Sequence, residues 1–198
     1  VTTLDELFEN QPIMAILRNM DPERSVRLSR TAWKLGISMV EVPIQTPDAV
    51  PSLEAVLAAG REEGRPVGAG TVTSVDQVEL CEELGVAFTV APGLDADVVA
   101  ASERVGVPHL PGVATATEVQ HAVRLGLQWV KAFPASLLGK DFFGAMSGPF
   151  PQVNFVATGG MSARNAGEFL DAGVRCVAVG SALEDEQQLP LLAELIGR

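Results

Sequence analysis

The chain has 198 residues, 47% hydrophobic and 20% charged, with a formal net charge of −11. That is the size and composition of one globular domain spanning 1–198 with a substantial core. The acidic balance argues against nucleic acid or an anionic membrane surface as a partner, while leaving room for a local site that holds a small anion.

No apolar run approaches the length of a membrane span, and Val1–Phe8 carries neither a basic nor an apolar leader segment, so the expected location is cytoplasmic. Cys81 and Cys176 stand far apart in periodic segments, which reads as two buried free thiols rather than a disulfide framework.

Read in chain order, short apolar runs alternate with helix-length segments. Thr2–Glu9 is expected to form a short helix beneath the first strand, Ile13–Leu17. Asp21-Pro22 opens a helix over Glu23–Leu35, with proline at its first turn and Gly36 ending it. The second strand is Met39–Val42, after which Thr46-Pro47 opens the next helix. Val67–Ala69 is the third strand, and Ser74 caps a helix over Val75–Leu84 that Gly85 closes. Phe88–Ala91 and Val107–Leu110 are the fourth and fifth strands. Thr115-Ala116-Thr117-Glu118 then has the spacing of a capping box for a helix ending near Leu125-Gly126. Trp129–Ala132, Asn154–Ala157 and Cys176–Val179 complete the strands. Ser162 opens a helix over Ala163–Ala172 closed by Gly173, and Gln187–Arg198 is the last helix.

Eight such units with nearly continuous apolar strands indicate an α/β fold, a compact (β/α)8 TIM barrel with a short N-terminal helix. A doubly wound open sheet is the competing arrangement. In a barrel the chemistry gathers at the C-terminal strand ends. Those ends carry Arg18, Glu41, Gly70-Thr71, Pro92-Gly93, Pro111-Gly112, Lys131 with Phe133-Pro134, Thr158-Gly159-Gly160 and Gly180-Ser181.

Lys131 lies in an apolar strand that ends at Pro134. Desolvation there disfavours the ammonium and favours a neutral amine, a nucleophile able to form a Schiff base with a carbonyl. The bland alternative is a lysine snorkelling to water. Glu41 is an equally costly carboxylate in an apolar strand, either a structural partner for a buried cation or a proton carrier, and Lys131 is its natural partner. Gly159-Gly160 and Gly180-Ser181 fall at the last two strand ends, where barrels often hold phosphate, although tight turns alone could also require glycine. Arg18 can grip a carboxylate bidentately, and Phe133 and Pro134 wall the amine. Neither His109 nor His121 belongs to a metal-ligand cluster.

These stretches also resemble a known family. Ala15-Ile16-Leu17-Arg18, Val40-Glu41-Val42, Gly68-Ala69-Gly70-Thr71-Val72, Val90-Ala91-Pro92-Gly93, Pro111-Gly112-Val113-Ala114-Thr115, Lys131-Ala132-Phe133-Pro134-Ala135, Gly148-Pro149-Phe150-Pro151, Ala157-Thr158-Gly159-Gly160 and Val179-Gly180-Ser181 resemble the class I 2-keto-3-deoxy-6-phosphogluconate (KDPG) aldolases, a family that includes 4-hydroxy-2-oxoglutarate (KHG) aldolases. The resemblance covers nearly the whole chain. It implies a homotrimeric barrel that needs no metal or cofactor and acts on a small 2-keto acid phosphate. It further implies that Lys131 forms the Schiff base and Glu41 is the acid/base acting through a water. Thr71 then lies near the pyruvate carboxylate and Thr158 near the substrate hydroxyls. Gly159, Gly160, Gly180 and Ser181 fall on the phosphate turns, and Pro92 and Phe133 count with the substrate-binding residues. Some members carry an arginine four residues after the glutamate; here Gln45 stands there, so carboxylate binding falls to Arg18. The implied reaction is cleavage of KDPG to pyruvate and glyceraldehyde 3-phosphate. Cleavage of KHG or of the phosphogalactonate epimer is the near alternative. Phosphosugar isomerisation or epimerisation and a non-catalytic trimer module are the distant ones.

Overall fold

Nine short parallel strands form a single sheet in the computed structural model, which describes residues 3–197. They are β1 (Ile13–Ile16), β2 (Val40–Pro43), β3 (Val67–Gly70), β4 (Phe88–Val90), β5 (His109–Leu110), β6 (Gly112–Val113), β7 (Trp129–Ala132), β8 (Asn154–Ala157) and β9 (Cys176–Val179). The order across the sheet is β5-β4-β3-β2-β1-β9-β8-β7-β6. Its two edges are the two halves of one strand, split at Pro111, which has no N–H to offer a ladder. On one side Leu110 pairs with Val90, and on the other Gly112 pairs with Lys131. The Lys131 N–H donates to the Pro111 carbonyl at 2.8 Å, carrying the ladder past the break. The sheet thus returns to its start as a nearly closed barrel, and the open doubly wound arrangement is excluded.

The expected fifth strand, Val107–Leu110, began too early and stopped at a proline that the chain passes straight through. Val107 still belongs to the preceding helix end, where its N–H donates to the Ser102 carbonyl at 3.1 Å.

The helices start where short polar side chains can satisfy free backbone N–H groups. In α2 (Pro22–Leu35) the Asp21 carboxylate accepts from the Arg24 N–H, and Gly36 ends the helix with φ 97°. Ser74 caps α4 (Val75–Leu84), and Asp95 caps α5 (Ala96–Val105). Thr115 caps α6 (Ala116–Arg124), but the box is shifted: the Glu118 carboxylate accepts from the Ala114 N–H, at 2.7 Å, rather than from that of Thr115. Thr46-Pro47 opens a single 3-10 turn before α3 (Val50–Glu63) begins. Two short helices without a sequence signal, α7 (Ala135–Leu138) and α8 (Asp141–Ser147), fill the connection from β7 to β8. The ring ends with α9 (Ala163–Asp171) and α10 (Leu189–Ile196). The N-terminal helix, α1, spans Leu4–Phe8. Thr2 and Arg198, the ends of two expected helices, lie outside the described residues. No described helix is long and apolar enough to cross a membrane.

Strand alternation divides the core into two layers. Residues such as Val40, Val42, Val130, Val177 and Val179 point outward and pack under the helices. The opposite set, Met14, Met39, Phe88, Val90, Leu110, Trp129, Val156, Cys176 and Ala178, fills the barrel and meets Leu7 and Phe8 of α1 from below. Phe8 stacks on Trp129 with ring centroids 4.7 Å apart, and the Trp129 indole N–H donates to Asp5 at 2.7 Å. This end of the barrel is a closed apolar floor.

Candidate active site

The inward-facing rows continue past the floor, and two residues on they change character. Ile16 is followed on its face by Arg18, Met39 by Glu41, Trp129 by Lys131, Val156 by Thr158 and Ala178 by Gly180. The period of two that fills the floor with apolar groups therefore brings these five positions to the C-terminal ends of the strands.

A cavity of about 420 Å³ opens there. Arg18, Lys131, Phe133, Thr158, Gly159, Gly160, Gly180 and Ser181 all line it, so eight of the residues singled out from the sequence meet in one place. Thr71 is tied to the same group, since its hydroxyl accepts from the Arg18 guanidinium at 3.3 Å. Thr71 has φ 59°, a conformation that β-branched residues adopt rarely and that marks a constrained strand end. Pro92 lies beside Gly112, where its carbonyl occupies the space a Cβ would need, and it does not line the cavity. Glu41, fully buried, is likewise not among the lining residues.

Lys131 and Glu41 are the buried ionisable pair. Lys131 is 3% exposed and Glu41 0%. The Lys131 ammonium lies 5.0 Å from the centre of the Phe133 ring. Burial pulls the Lys131 amine down from 10.5; the Glu41 charge opposes that, and the nearby Arg18 adds to it. Burial likewise pushes the Glu41 carboxyl up from 4.5, against the pull of Lys131 and Arg18. Both groups are thus biased toward their neutral forms, a nucleophilic amine and an acid that can give up a proton. Neither Glu41 oxygen has a hydrogen-bond partner in the protein, nor does the buried Thr158 hydroxyl. Buried polar groups left without partners are costly, and at these strand ends Glu41 and Thr158 have hydrogen-bonding capacity free for a bound molecule.

Glycines make room for this arrangement. A Cβ on Gly70 would overlap a Glu41 carboxylate oxygen, so the carboxylate can lie against β3 only because residue 70 lacks a side chain. A Cβ on Gly160 (φ 74°) would collide with the Ser136 hydroxyl, so the turn after β8 must pass tightly over α7.

The cavity also contains residues that the sequence did not single out: Asn19, Arg24, Met161 and Glu184. Asn19 accepts from the Gln45 amide at 2.6 Å, so the glutamine that stands where some family members carry an arginine braces the loop next to Arg18. These residues come from loops and from a first helical turn, where neither periodicity nor a glycine marks them.

The other titratable groups stand apart. His109 faces outward from β5, its Nδ1 2.8 Å from the Thr89 hydroxyl, and burial holds it down at about 4. Burial pushes the Cys81 thiol up to about 12 and Cys176 further still, so both are unreactive packing groups. Among the described residues no group of three or more His, Cys, Asp or Glu could hold a metal ion.

The family model described as "Aldolase: KDPG and KHG aldolase" matches residues 4–191. The 2-dehydro-3-deoxy-phosphogluconate aldolase of Treponema pallidum (strain Nichols) is 36% identical over 183 residues, covering 91% of this chain and 85% of the relative. The 2-dehydro-3-deoxy-6-phosphogalactonate aldolase of Escherichia coli (strain K12) is 31% identical, covering 87% and 84%. Among solved structures, KDPG aldolase from Legionella pneumophila, with pyruvate captured at low pH as a covalent carbinolamine intermediate, superposes with a TM-score of 0.83 at 30% identity, covering 96% of this chain and 95% of that one.

Proposed function

The chain belongs to the KDPG and KHG aldolase family of carbon–carbon lyases, and we propose that within it the protein cleaves KDPG to pyruvate and glyceraldehyde 3-phosphate, with Lys131 as the nucleophile. The observation that carries this reading is the pair of buried groups at the barrel mouth, Lys131 and Glu41, each biased by burial toward the neutral form.

The steps follow from that bias. The neutral Lys131 Nζ adds to the C2 ketone and forms a carbinolamine. Glu41, protonated at this stage, supplies through a water the proton with which the C2 hydroxyl leaves, and an iminium remains. The carboxylate so formed then takes the proton of the C4 hydroxyl. The C3–C4 bond breaks, its electron pair moves onto C3 and the iminium to give an enamine, and the aldehyde departs. Protonation at C3 and hydrolysis of the imine release pyruvate and free Lys131. In the Legionella relative pyruvate is captured as a covalent carbinolamine, the kind of adduct from which the last step of this sequence would release pyruvate.

Arg18 holds the keto acid carboxylate together with Thr71, whose hydroxyl already meets it. The turns at Gly159-Gly160 and Gly180-Ser181 take the distal phosphate, and Thr158 meets a substrate hydroxyl with its unpartnered oxygen. Phe133 shapes the wall. Binding the two ends of the substrate fixes the scissile bond between them. The same reading has a single-domain chain working as a homotrimer, which light scattering checks against three times the 20.8 kDa of one chain.

Borohydride reduction in the presence of pyruvate tests the nucleophile. The expected result is a single adduct at Lys131 in the peptide map, and active protein without it refutes the mechanism. Pyruvate release from KDPG, its phosphogalactonate epimer and 4-hydroxy-2-oxoglutarate ranks the substrates. KDPG is expected to give the highest kcat/KM, and a higher value with either rival would reassign the substrate.

A further inference from the structure

One ion pair at the cavity rim has no part in the mechanism above. Arg24 sits in the first turn of α2, its own N–H fixed on the Asp21 carboxylate at 2.9 Å. Glu184 closes the 3-10 turn Ser181–Glu184 that follows Gly180. The guanidinium donates through Nε to one Glu184 oxygen at 2.8 Å and through Nη2 to the other at 2.7 Å. Both residues line the cavity that Gly159, Gly160, Gly180 and Ser181 line.

The side chains are 42% and 31% exposed, and ion pairs so open to water contribute little to stability. Two features of the pair concern ligands instead. A guanidinium fork fits a phosphate as well as it fits a carboxylate. A phosphate monoester also carries close to two negative charges at neutral pH, against one for Glu184. An anion arriving at the glycine turns therefore meets a cation whose present partner it can displace, and a carboxylate that repels it.

Resting on the aldolase reading of the cavity, we propose that Arg24 is a specificity residue for the distal phosphate of the substrate and that Glu184 is its built-in competitor. Without phosphate, Glu184 occupies the guanidinium and makes the rim locally neutral. With phosphate, Arg24 changes partner and Glu184 remains as a repulsive neighbour. Phosphorylated substrates thus gain a cation, but less than the cation alone would give.

Titration calorimetry with inorganic phosphate tests the pair without relying on catalysis. Losing one partly exposed charge-assisted contact in Arg24→Gln is expected to weaken phosphate binding about tenfold. Glu184→Gln, which removes the competitor, is expected to tighten it about threefold. Arg24→Lys keeps the charge without the fork and should fall between wild type and Arg24→Gln, which also covers the case of a poorly folding glutamine variant. In catalysis, the ratio of kcat/KM for KDPG to that for the same acid without its phosphate should fall in Arg24→Gln and rise in Glu184→Gln, both through KM. Equal phosphate affinity in all the proteins, or no phosphate binding to wild type, overturns the proposal. So does a lowered melting temperature in Arg24→Gln with unchanged phosphate affinity, which would make the pair a tie between α2 and the chain end. Arg24-dependent phosphate binding in a protein that cleaves none of the keto acids would instead refute the aldolase reading and leave this assignment standing.

Discussion

Trp129 and Lys131 stand two residues apart on one face of β7, and they belong to opposite ends of the barrel. Trp129 is stacked on Phe8 and hydrogen-bonded to Asp5, a polar aromatic with its one donor satisfied. Lys131 is as deeply buried, yet its surroundings work against its charge. The same contrast separates Met39 from Glu41 on β2. The floor is built from groups whose burial is favourable, and the mouth from groups whose burial is unfavourable unless they react. The two ends share strands and alternation, so the difference is set by side-chain chemistry alone.

Lys131→Met breaks the contrast most sharply. Pyruvate release is expected to fall by more than about a thousandfold, because the covalent route is lost. Denaturant unfolding should show stability little changed, because a desolvated amine is replaced by an apolar chain of similar length and Glu41, losing the pull of Lys131, is held as the neutral acid. Phe8→Ala should do the reverse. Removing a buried ring from the floor is expected to cost about 3–5 kcal/mol in denaturant unfolding, while kcat of the folded fraction stays near that of wild type. Equal losses of activity and stability in both variants would show that floor and mouth are not separable.

How far each end was legible in the sequence follows from the same chemistry. Trp129–Ala132, Asn154–Ala157 and Cys176–Val179 coincide with observed strands because each is a short, largely apolar run between turn-forming residues. Lys131 and Glu41 stood out because a charge in an apolar run is costly wherever the run folds. The break at Pro111 was not legible: a proline ends most strands, and only the closed ring shows both of its sides paired. Nor were α7 and α8, four and seven residues long, which tertiary packing of Phe143 against Phe155 and Phe169 supports more than any cap. Arg24 and Glu184 could not be paired in advance either, since 160 residues separate them and only barrel closure brings α2 beside the turn after β9.

A smaller effect probes a buried ionisable group outside both ends. His109 has its imidazole held at about 4 by burial, against 6.5 for the ordinary side chain, with Asp95 pulling the other way. The unfolded chain therefore takes up a proton between pH 6.5 and 4 that the folded chain refuses, so stability falls as pH drops through that window. Between pH 7.5 and 5 the loss is expected to be about 2 kcal/mol. His109→Gln should remove it, which chemical denaturation at the two pH values reads directly. An identical pH slope in wild type and variant would show that His109 is solvated in the folded state.

The smallest effect is a displacement along the pH axis, and it tests whether the mouth works as a set of coupled charges. Arg18 helps to hold the Lys131 amine below 10.5, so removing its charge in Arg18→Gln moves that amine back up. The neutral fraction at a given pH then drops, and the rise of reactivity with pH shifts to higher pH. Pyruvate is a poor probe of the shift, because losing Arg18 also weakens the grip on its carboxylate. Reductive methylation with formaldehyde has no carboxylate to bind and reports on the amine alone, with Lys131 followed in the peptide map. Lys140, paired at the surface with Glu168 at 3.4 Å, is followed in the same map as a control for the extent of labelling. If the Lys131 profile is unchanged in Arg18→Gln while substrate KM rises, Arg18 acts only as an anchor for the keto acid, and the neutral amine at the mouth is due to burial by the apolar strands alone.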